Sequence, residues 1–185
     1  MTSLIALLVL TVLVVAVIVM YNALVRLRVQ SDNAWADIDV QLKRRYDLIP
    51  NLVETVKGYA GHEKQTLEAV VNARSRAMSV QGPAEKGPAE GMLTAALRQL
   101  FALAEAYPQL RAVESFTQLQ NQLAQIEEAI QNARRYYNAV VRDLNTACET
   151  FPSNLIAQTF GFSKKEYFEL DSDAERSVPS VRFAT

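Results

Sequence analysis

His62 and Glu63 open like the His-Glu-x-x-His pair of a zinc peptidase, in which two imidazoles one helical turn apart hold the metal and the glutamate serves as general base. Gln65 and Thr66 follow, so the second histidine is missing and no such site forms. One His and one Cys in the whole chain exclude a zinc site of four Cys/His ligands, a haem held by two histidines and an internal disulfide. The same count excludes a di-iron bundle, which needs a Glu-x-x-His pair on each of two helices. Gly82, Gly87 and Gly91 stand close together, but no Lys-Ser/Thr follows them and no strand precedes them, so they are not a phosphate loop. Asp37 and Asp39 are two residues apart, hence on different faces of a helix, which rules out an acid/base pair. Asp39 with Lys43 reads as an ordinary i, i+4 ion pair, and Cys148 as a small buried hydrophobe. No catalytic, cofactor-binding or metal-ligating residue is expected, and the chain reads as no enzyme.

What remains is a group of polar side chains on or beside apolar stripes: Asp39, Arg45, Tyr46, Asn51, Arg74, Arg134, Tyr136, Tyr137, Asn138 and Asn145. The run Arg-Arg-Tyr occurs twice, at Arg44 to Tyr46 and at Arg134 to Tyr136. Two helices packed antiparallel would hold these guanidinium groups against Asp37, Asp47 or Glu54. Two readings stay open. One is a buried polar network that fixes helix register; the other is a binding surface for an acidic tail, a lipid headgroup or a second copy.

The elements that must position them are helices. Trp35, Ile38, Leu42, Tyr46, Ile49, Val53, Val56 and Ala60 step by three or four and give one apolar stripe, with Pro50 expected to kink it. Leu67, Val70, Val71, Arg74 and Met78 mark a second helix, ending before VQGPAEKGPAEG, which reads as an exposed flexible loop. Leu93, Ala96, Leu97, Leu100, Ala104 and Tyr107 form a third stripe, closed by Pro108. Ser115 with Gln118 has the spacing of a capping box, and Phe116, Leu119, Leu123, Ile126, Ile130, Ala133, Tyr137, Val140, Leu144, Ala147 and Phe151 form a fourth stripe of heptad, coiled-coil type, stopped by Pro152. The tail from Ser153 is apolar enough, in Leu155, Ile156, Phe160, Phe162, Tyr167 and Phe168, to fold onto a bundle, its own or a neighbour's. Phe160, Phe162, Tyr167 and Phe168 are the candidates for self-association.

Upstream, Leu4 to Tyr21 carries no charge. About 18 residues at about 1.5 Å each reach about 27 Å, close to the hydrocarbon thickness of a bilayer. Leu4, Leu8, Val12, Val15 and Val19 would face lipid, Tyr21 would sit at the interface, and Arg26 and Arg28 would reach headgroups. A cleaved signal is disfavoured by the absence of Lys or Arg before Leu4 and of a small-residue cut site. The cationic residues follow the span, so the positive-inside rule puts the body in the cytoplasm of a single-pass inner-membrane protein, with the opposite topology as the alternative. A formal net charge of -1 offers nucleic acid no basic face. The expected fold is all-α: a transmembrane anchor over residues 1–24, an antiparallel four-helix bundle of long helices over 25–152, and a tail over 153–185 packed on a bundle.

QSDNAWADIDVQLKRRYDLIPNLVETVKGYAGHE, then ARSRA, LAEAYPQLRAVESFTQLQ, ARRYYNAVVRDLN and FPSNLIAQTFGF, resembles the bacterial LemA family in order and spacing, from about Tyr21 to Phe183. The resemblance implies a membrane anchor, an all-helical antiparallel bundle and no established catalysis or cofactor. More distantly the chain is similar to a magnetosome-membrane protein of magnetotactic bacteria, which ties the fold to membrane organisation. Genes of the family often stand beside one for a membrane zinc metalloprotease. The function expected is a self-associating, membrane-anchored scaffold with the lipid bilayer and its own copies as partners; the alternative is an adaptor or regulator of that protease.

Overall fold

The computed structural model describes residues 1–169. Its described residues form six helices: α1 (Thr2–Ala60), α2 (Lys64–Ser79), α3 (Pro83–Glu105), α4 (Pro108–Arg111), α5 (Glu114–Glu149) and α6 (Ser153–Thr159). The all-α class and the long N-terminal apolar helix are as expected; within residues 25–152 the long elements are α1, α2, α3 and α5, with the four-residue α4 between the last two. Nothing between Tyr21 and Trp35 breaks a helix, so the apolar segment and the first body helix are one element of 59 residues. Pro50 lies inside it without ending it. From Leu4 to Tyr21 the side chains are exposed except Ala16 and Met20, which are half-buried.

The Gly/Pro segment is the main correction. It is not a loop at the tip of the bundle: α3 starts at Pro83, a residue whose fixed φ and missing N–H suit the first helical position. Gly87, Ala89 and Glu90 are buried. The lack of a side chain at Gly87 is used by the packing, since a Cβ there would fall on the backbone carbonyl of Glu169. The expected capping box is also absent. Ser115 lies one residue inside α5, and Gln118 donates instead to the side chain of Glu114 at 3.0 Å.

The chain divides into two compact units, to both of which α1 and α5 contribute. The first comprises Met1–Leu42 and Glu128–Tyr167; the second comprises Lys43–Glu127 and the chain from Phe168. In the first, Leu24, Leu144 and Ala157 form a buried cluster, with Leu27, Ala147, Cys148, Ile156 and Phe162 against it. Further along, the Trp35 ring meets Tyr137, centroids 5.4 Å apart. Rising numbers on α1 thus meet falling numbers on α5, which makes the pair antiparallel. In the second, the cores of α2 and α3 are Leu67, Val70 and Ala77 and Leu93, Ala96, Leu97, Leu100 and Ala104. Phe168 is wholly buried in this unit.

Burial follows a seven-residue repeat on both long helices. On α5 it falls at Phe116, Leu123, Ile130, Tyr137 and Leu144, and on α1 at Leu24, Ser31, Ile38, Arg45 and Leu52. Leu52 takes the place expected of Val53, and Val71 and Met78 on α2 are exposed, with Ala77 buried beside them. Small errors of this kind arise because one position along a helix is only about 100° of rotation.

Candidate functional site

Arg45 occupies a core position on the α1 repeat, and an unpaired guanidinium there would be very costly to bury. The fold surrounds it with acceptors from two other helices. Its Nη1 lies 3.3 Å from Oε2 of Glu90 on α3 and 3.2 Å from Oε2 of Glu127 on α5, and its Nη2 donates to the Thr94 hydroxyl at 2.8 Å. The Arg45 and Glu90 side chains are 5% and 2% exposed. The neighbouring Tyr46 hydroxyl donates to the other Glu90 oxygen, with the Ala77 carbonyl 3.4 Å away. Lys86 lies over the Tyr46 ring, 5.9 Å from its centroid.

Burial pushes the Glu90 carboxyl above the usual glutamate range, against the lowering pull of Tyr46, Arg45 and Lys86; Glu127 adds to the rise. A cleft of about 330 Å³ opens beside Arg45, with Thr94, Arg98, Phe101, Gln120 and Glu127 among its walls. The arrangement ties α1, α3 and α5 to one another in a fixed register. It offers no activated nucleophile, because the Thr94 hydroxyl is engaged by a cation rather than by a base.

Pro50 explains a second polar contact. Lacking an N–H, it cannot donate to the carbonyl four residues back, that of Tyr46. Arg74 on α2 supplies the missing donor: its Nε lies 2.8 Å from the Tyr46 oxygen. Helix-breaking residue and compensating side chain thus sit on adjacent elements of one unit.

The polar residues of the first unit serve a different end. The side-chain amide of Asn145 makes two hydrogen bonds to the backbone of Lys165, Nδ2 donating to its carbonyl and Oδ1 accepting from its N–H, both at 2.9 Å. The Tyr137 hydroxyl donates to the carbonyl of Glu166 at 2.9 Å. Lys165 in turn pairs with Asp32 on α1. These contacts hold the extended stretch after α6 along α5. Desolvation, reinforced by Glu166 and Asp32, pushes the Tyr137 phenol up to about 12. At the other end of the unit, Phe160 and Phe162 set their rings against Tyr21 at 4.9 and 5.7 Å, and Arg28 lies 5.1 Å from the centre of the Phe162 ring.

Of the residues singled out from the sequence, Arg45, Tyr46 and Arg74 meet in the second unit, and Tyr137 and Asn145 act together in the first, where Arg134 and Asn138 are half-buried and Tyr136 accepts from Gln30 at 3.5 Å. Asp39 and Asn51 are exposed, and belong to neither group. Lys43 pairs with Asp47 at 3.0 Å rather than with Asp39, since carboxylates stand one turn away on either side of it. The partners expected for Arg45, namely Asp37, Asp47 and Glu54, are replaced by Glu90 and Glu127. Glu90 was hidden by the Gly/Pro reading, yet a signal existed. Projected backwards by three, seven and ten residues, the stripe of Leu93, Leu97 and Leu100 lands on it. Of the tail candidates, Phe168 is a core residue, Phe162 is half-buried, and Phe160 and Tyr167 are exposed. Pro179, Val181 and Phe183, which read in the sequence as an extended end of the tail, lie outside the described residues. His62 is exposed on the turn after α1, and Glu63 accepts from the Tyr107 hydroxyl at 3.2 Å.

A family model, that of the LemA family, matches residues 34–183. Among curated proteins, the chain is 25% identical to the magnetosome protein MamQ 2 of Paramagnetospirillum magneticum, over 175 residues that cover 80% of this chain and 64% of the relative. MamQ of Magnetospirillum gryphiswaldense is likewise 25% identical, with the same coverage. Protein LemA of Metamycoplasma hominis is 26% identical over 159 residues, 84% of this chain and 71% of the relative. The chain spans just under two thirds of the length of its magnetosome relatives.

Proposed function

The chain belongs to the LemA family, and from that premise we propose that it is a membrane-anchored, non-enzymatic helical scaffold whose copies associate to organise or shape a bacterial membrane. The observation that carries this reading is the continuity of α1. Its first eighteen or so residues present Leu, Val and Ile side chains to the outside, and the same helix then runs without a break into the body. Leaving each such side chain in water forgoes about 1.5–3 kcal/mol relative to burying it, so a bilayer is the environment that fits the segment. The resemblance to magnetosome proteins, which belong to an organised bacterial structure, is in keeping with a scaffold.

In this proposal residues 1–24 are the anchor, 25–152 the bundle and 153–185 the tail. The span is a single pass through the inner membrane, and Arg26 and Arg28 after it keep the body in the cytoplasm. The polar centre around Arg45 and the pins at Tyr137 and Asn145 fix register and tail position, a reading supported by the burial of the Arg45 and Glu90 side chains and by the hydrogen bonds to the tail backbone. No catalytic role is assigned.

Mass photometry of the full chain in detergent tests the association: particles at multiples of the protomer mass are expected. A chain that stays monomeric at every concentration ends the scaffold reading and leaves the adaptor of a membrane metalloprotease, checked by comparing proteolytic products with and without this protein. Topology is tested at Gln81, exposed between α2 and α3. With Cys148→Ala as background, Gln81→Cys should resist an impermeant thiol reagent in intact cells and react after lysis. Labelling in intact cells would place the body outside.

A further inference from the structure

The end of the first unit that lies nearest the apolar segment carries three large apolar side chains that the fold leaves uncovered. Phe151 is 75% exposed, Leu155 53% and Phe160 52%. They belong to the turn after α5, to α6 and to its end. Elsewhere α6 is well packed: Ala157 is buried in the cluster with Leu24 and Leu144, and Ile156 leans on it. The element is therefore fixed in place while one side of it faces outward.

Its level along α1 can be read from contacts within the unit. Leu24 packs with Leu144, and Phe160 sets its ring against Tyr21, the last residue of the uncharged run. From Leu144 to the end of α5 at Glu149 the helix advances about 7.5 Å, and from Leu24 back to Tyr21 about 4.5 Å, so in an antiparallel pair the end of α5 passes Tyr21 by about 3 Å toward the apolar segment. Ala16 and Met20, the two half-buried residues of that segment, share a face with Leu24 at i, i+4 and i+8. That face is covered for about 7.5 Å beyond Tyr21. A depth of about 5–10 Å is that of an amphipathic segment lying in the headgroup and acyl boundary.

We propose that Phe151, Leu155 and Phe160 insert into the interface of the bilayer that α1 crosses, so that this end of the first unit is seated in the membrane and not merely tethered to it. The occupant is lipid because the exposed side chains continue the lipid-facing surface of α1 at the same level. The flanking chemistry suits that position. Arg26 and Arg28 are exposed one and two turns beyond Tyr21, and Lys164 pairs with Glu149 at 2.6 Å on the rim, where their long stems can reach phosphates. Rings at Tyr21 and Phe160 match the aromatic belt found at membrane–water boundaries. Phe160 is thus assigned to lipid rather than to a second copy.

This inference rests on the anchor reading, and one experiment separates the two. The full chain with Cys148→Ala is reconstituted in phosphatidylethanolamine/phosphatidylglycerol vesicles. Spin labels are attached singly at Val19→Cys, Leu155→Cys, Phe160→Cys and the exposed control Gln81→Cys, and circular dichroism confirms that each variant keeps wild-type helicity. Collision with oxygen, which concentrates in lipid, is compared with collision with a water-soluble nickel chelate. At Val19, Leu155 and Phe160 oxygen should dominate; at Gln81 the chelate should. If Val19 behaves like Gln81, anchor and interface readings fall together. If Val19 is in lipid while Leu155 and Phe160 collide with the chelate, only the interfacial seat is lost. If Leu155 and Phe160 are shielded from both reagents and show dipolar coupling between labels, a second copy covers them and the lipid assignment is overturned.

Discussion

On the seven-residue repeat of α1, the first unit places Leu24, Ser31 and Ile38, and the second places Arg45 and Leu52. The Ser31 hydroxyl is satisfied within its own helix, donating to the Arg28 carbonyl at 2.7 Å, so it asks nothing of its neighbours. Arg45 asks for a carboxylate, and obtains Glu90 and Glu127 from α3 and α5. In the first unit Lys164 pairs with Glu149 and Arg142 with Asp143 at the surface, and the tail is held by the neutral groups of Asn145 and Tyr137 together with the partly exposed pair of Lys165 with Asp32. Neutral seams of this kind tolerate substitution by size and shape. A buried charge does not, because removing one partner strands the other in a medium that solvates it poorly.

The difference is broken most severely at Glu90. Glu90→Ala leaves Arg45, among the described residues, with the half-exposed Glu127 as counter-charge and should cost about 3–5 kcal/mol in urea unfolding of the detergent-solubilised chain. A loss below 1 kcal/mol would show that the centre is not a lock. Glu90→Gln sharpens the same point through pH. The folded-state pKa of Glu90 is raised, so the stability this group contributes is fully present below the ordinary glutamate range and is lost as pH rises through the raised value. Wild type minus Glu90→Gln should therefore decline with rising pH, and a difference flat in pH would contradict the burial argument.

Gly87→Ala should come next, at about 1–3 kcal/mol, because the added methyl meets backbone rather than a flexible side-chain end. Tryptic cleavage near Lys164 and Lys165 should also accelerate if the Glu169 backbone is displaced. Unchanged melting and unchanged cleavage would mean that α3 does not bear on this stretch.

At Arg74 the expected loss is about 1–3 kcal/mol on substitution by Ala, the cost of an unsatisfied carbonyl. Coupling to Pro50 makes the test specific. In a Pro50→Ala background position 50 regains an N–H for the Tyr46 carbonyl, so the loss caused by Arg74→Ala should shrink. Additive effects of the two substitutions would refute the compensation.

The smallest effect belongs to the first unit. Tyr137→Phe removes one hydrogen bond to the Glu166 carbonyl and should cost about 1 kcal/mol at neutral pH. Because the folded-state phenol is raised to about 12, its contribution is intact below the usual tyrosine range and is lost as pH climbs through about 12. The variant should lack a component near 12 in the phenolate absorbance titration. A titration unchanged by the substitution would assign that component to another tyrosine.

Period and composition alone determined much of this protein. Leu4 to Tyr21 is uncharged and, Thr11 apart, apolar all round a helix, so its fit to a bilayer follows without knowledge of any neighbour. The stripes of α1 and α5 are equally local, since a helix repeats every 3.6 residues whatever packs against it. What only the tertiary structure decided is where a local signal was weak or a partner lay far along the chain. Gly82-Pro83-Ala84-Glu85 and Gly87-Pro88-Ala89-Glu90 repeat the same four residues, yet Glu85 is exposed and Glu90 is buried under Arg45. Helix propensity reads both as a loop; burial of Gly87 and Ala89, and a guanidinium 45 residues away that needs a carboxylate, turn the second into core. Phe160 and Phe168 likewise have the same side chain in one tail. One sets its ring against Tyr21 in the first unit and the other is wholly buried in the second, and the pins at Asn145 and Tyr137 fix the stretch of chain between them.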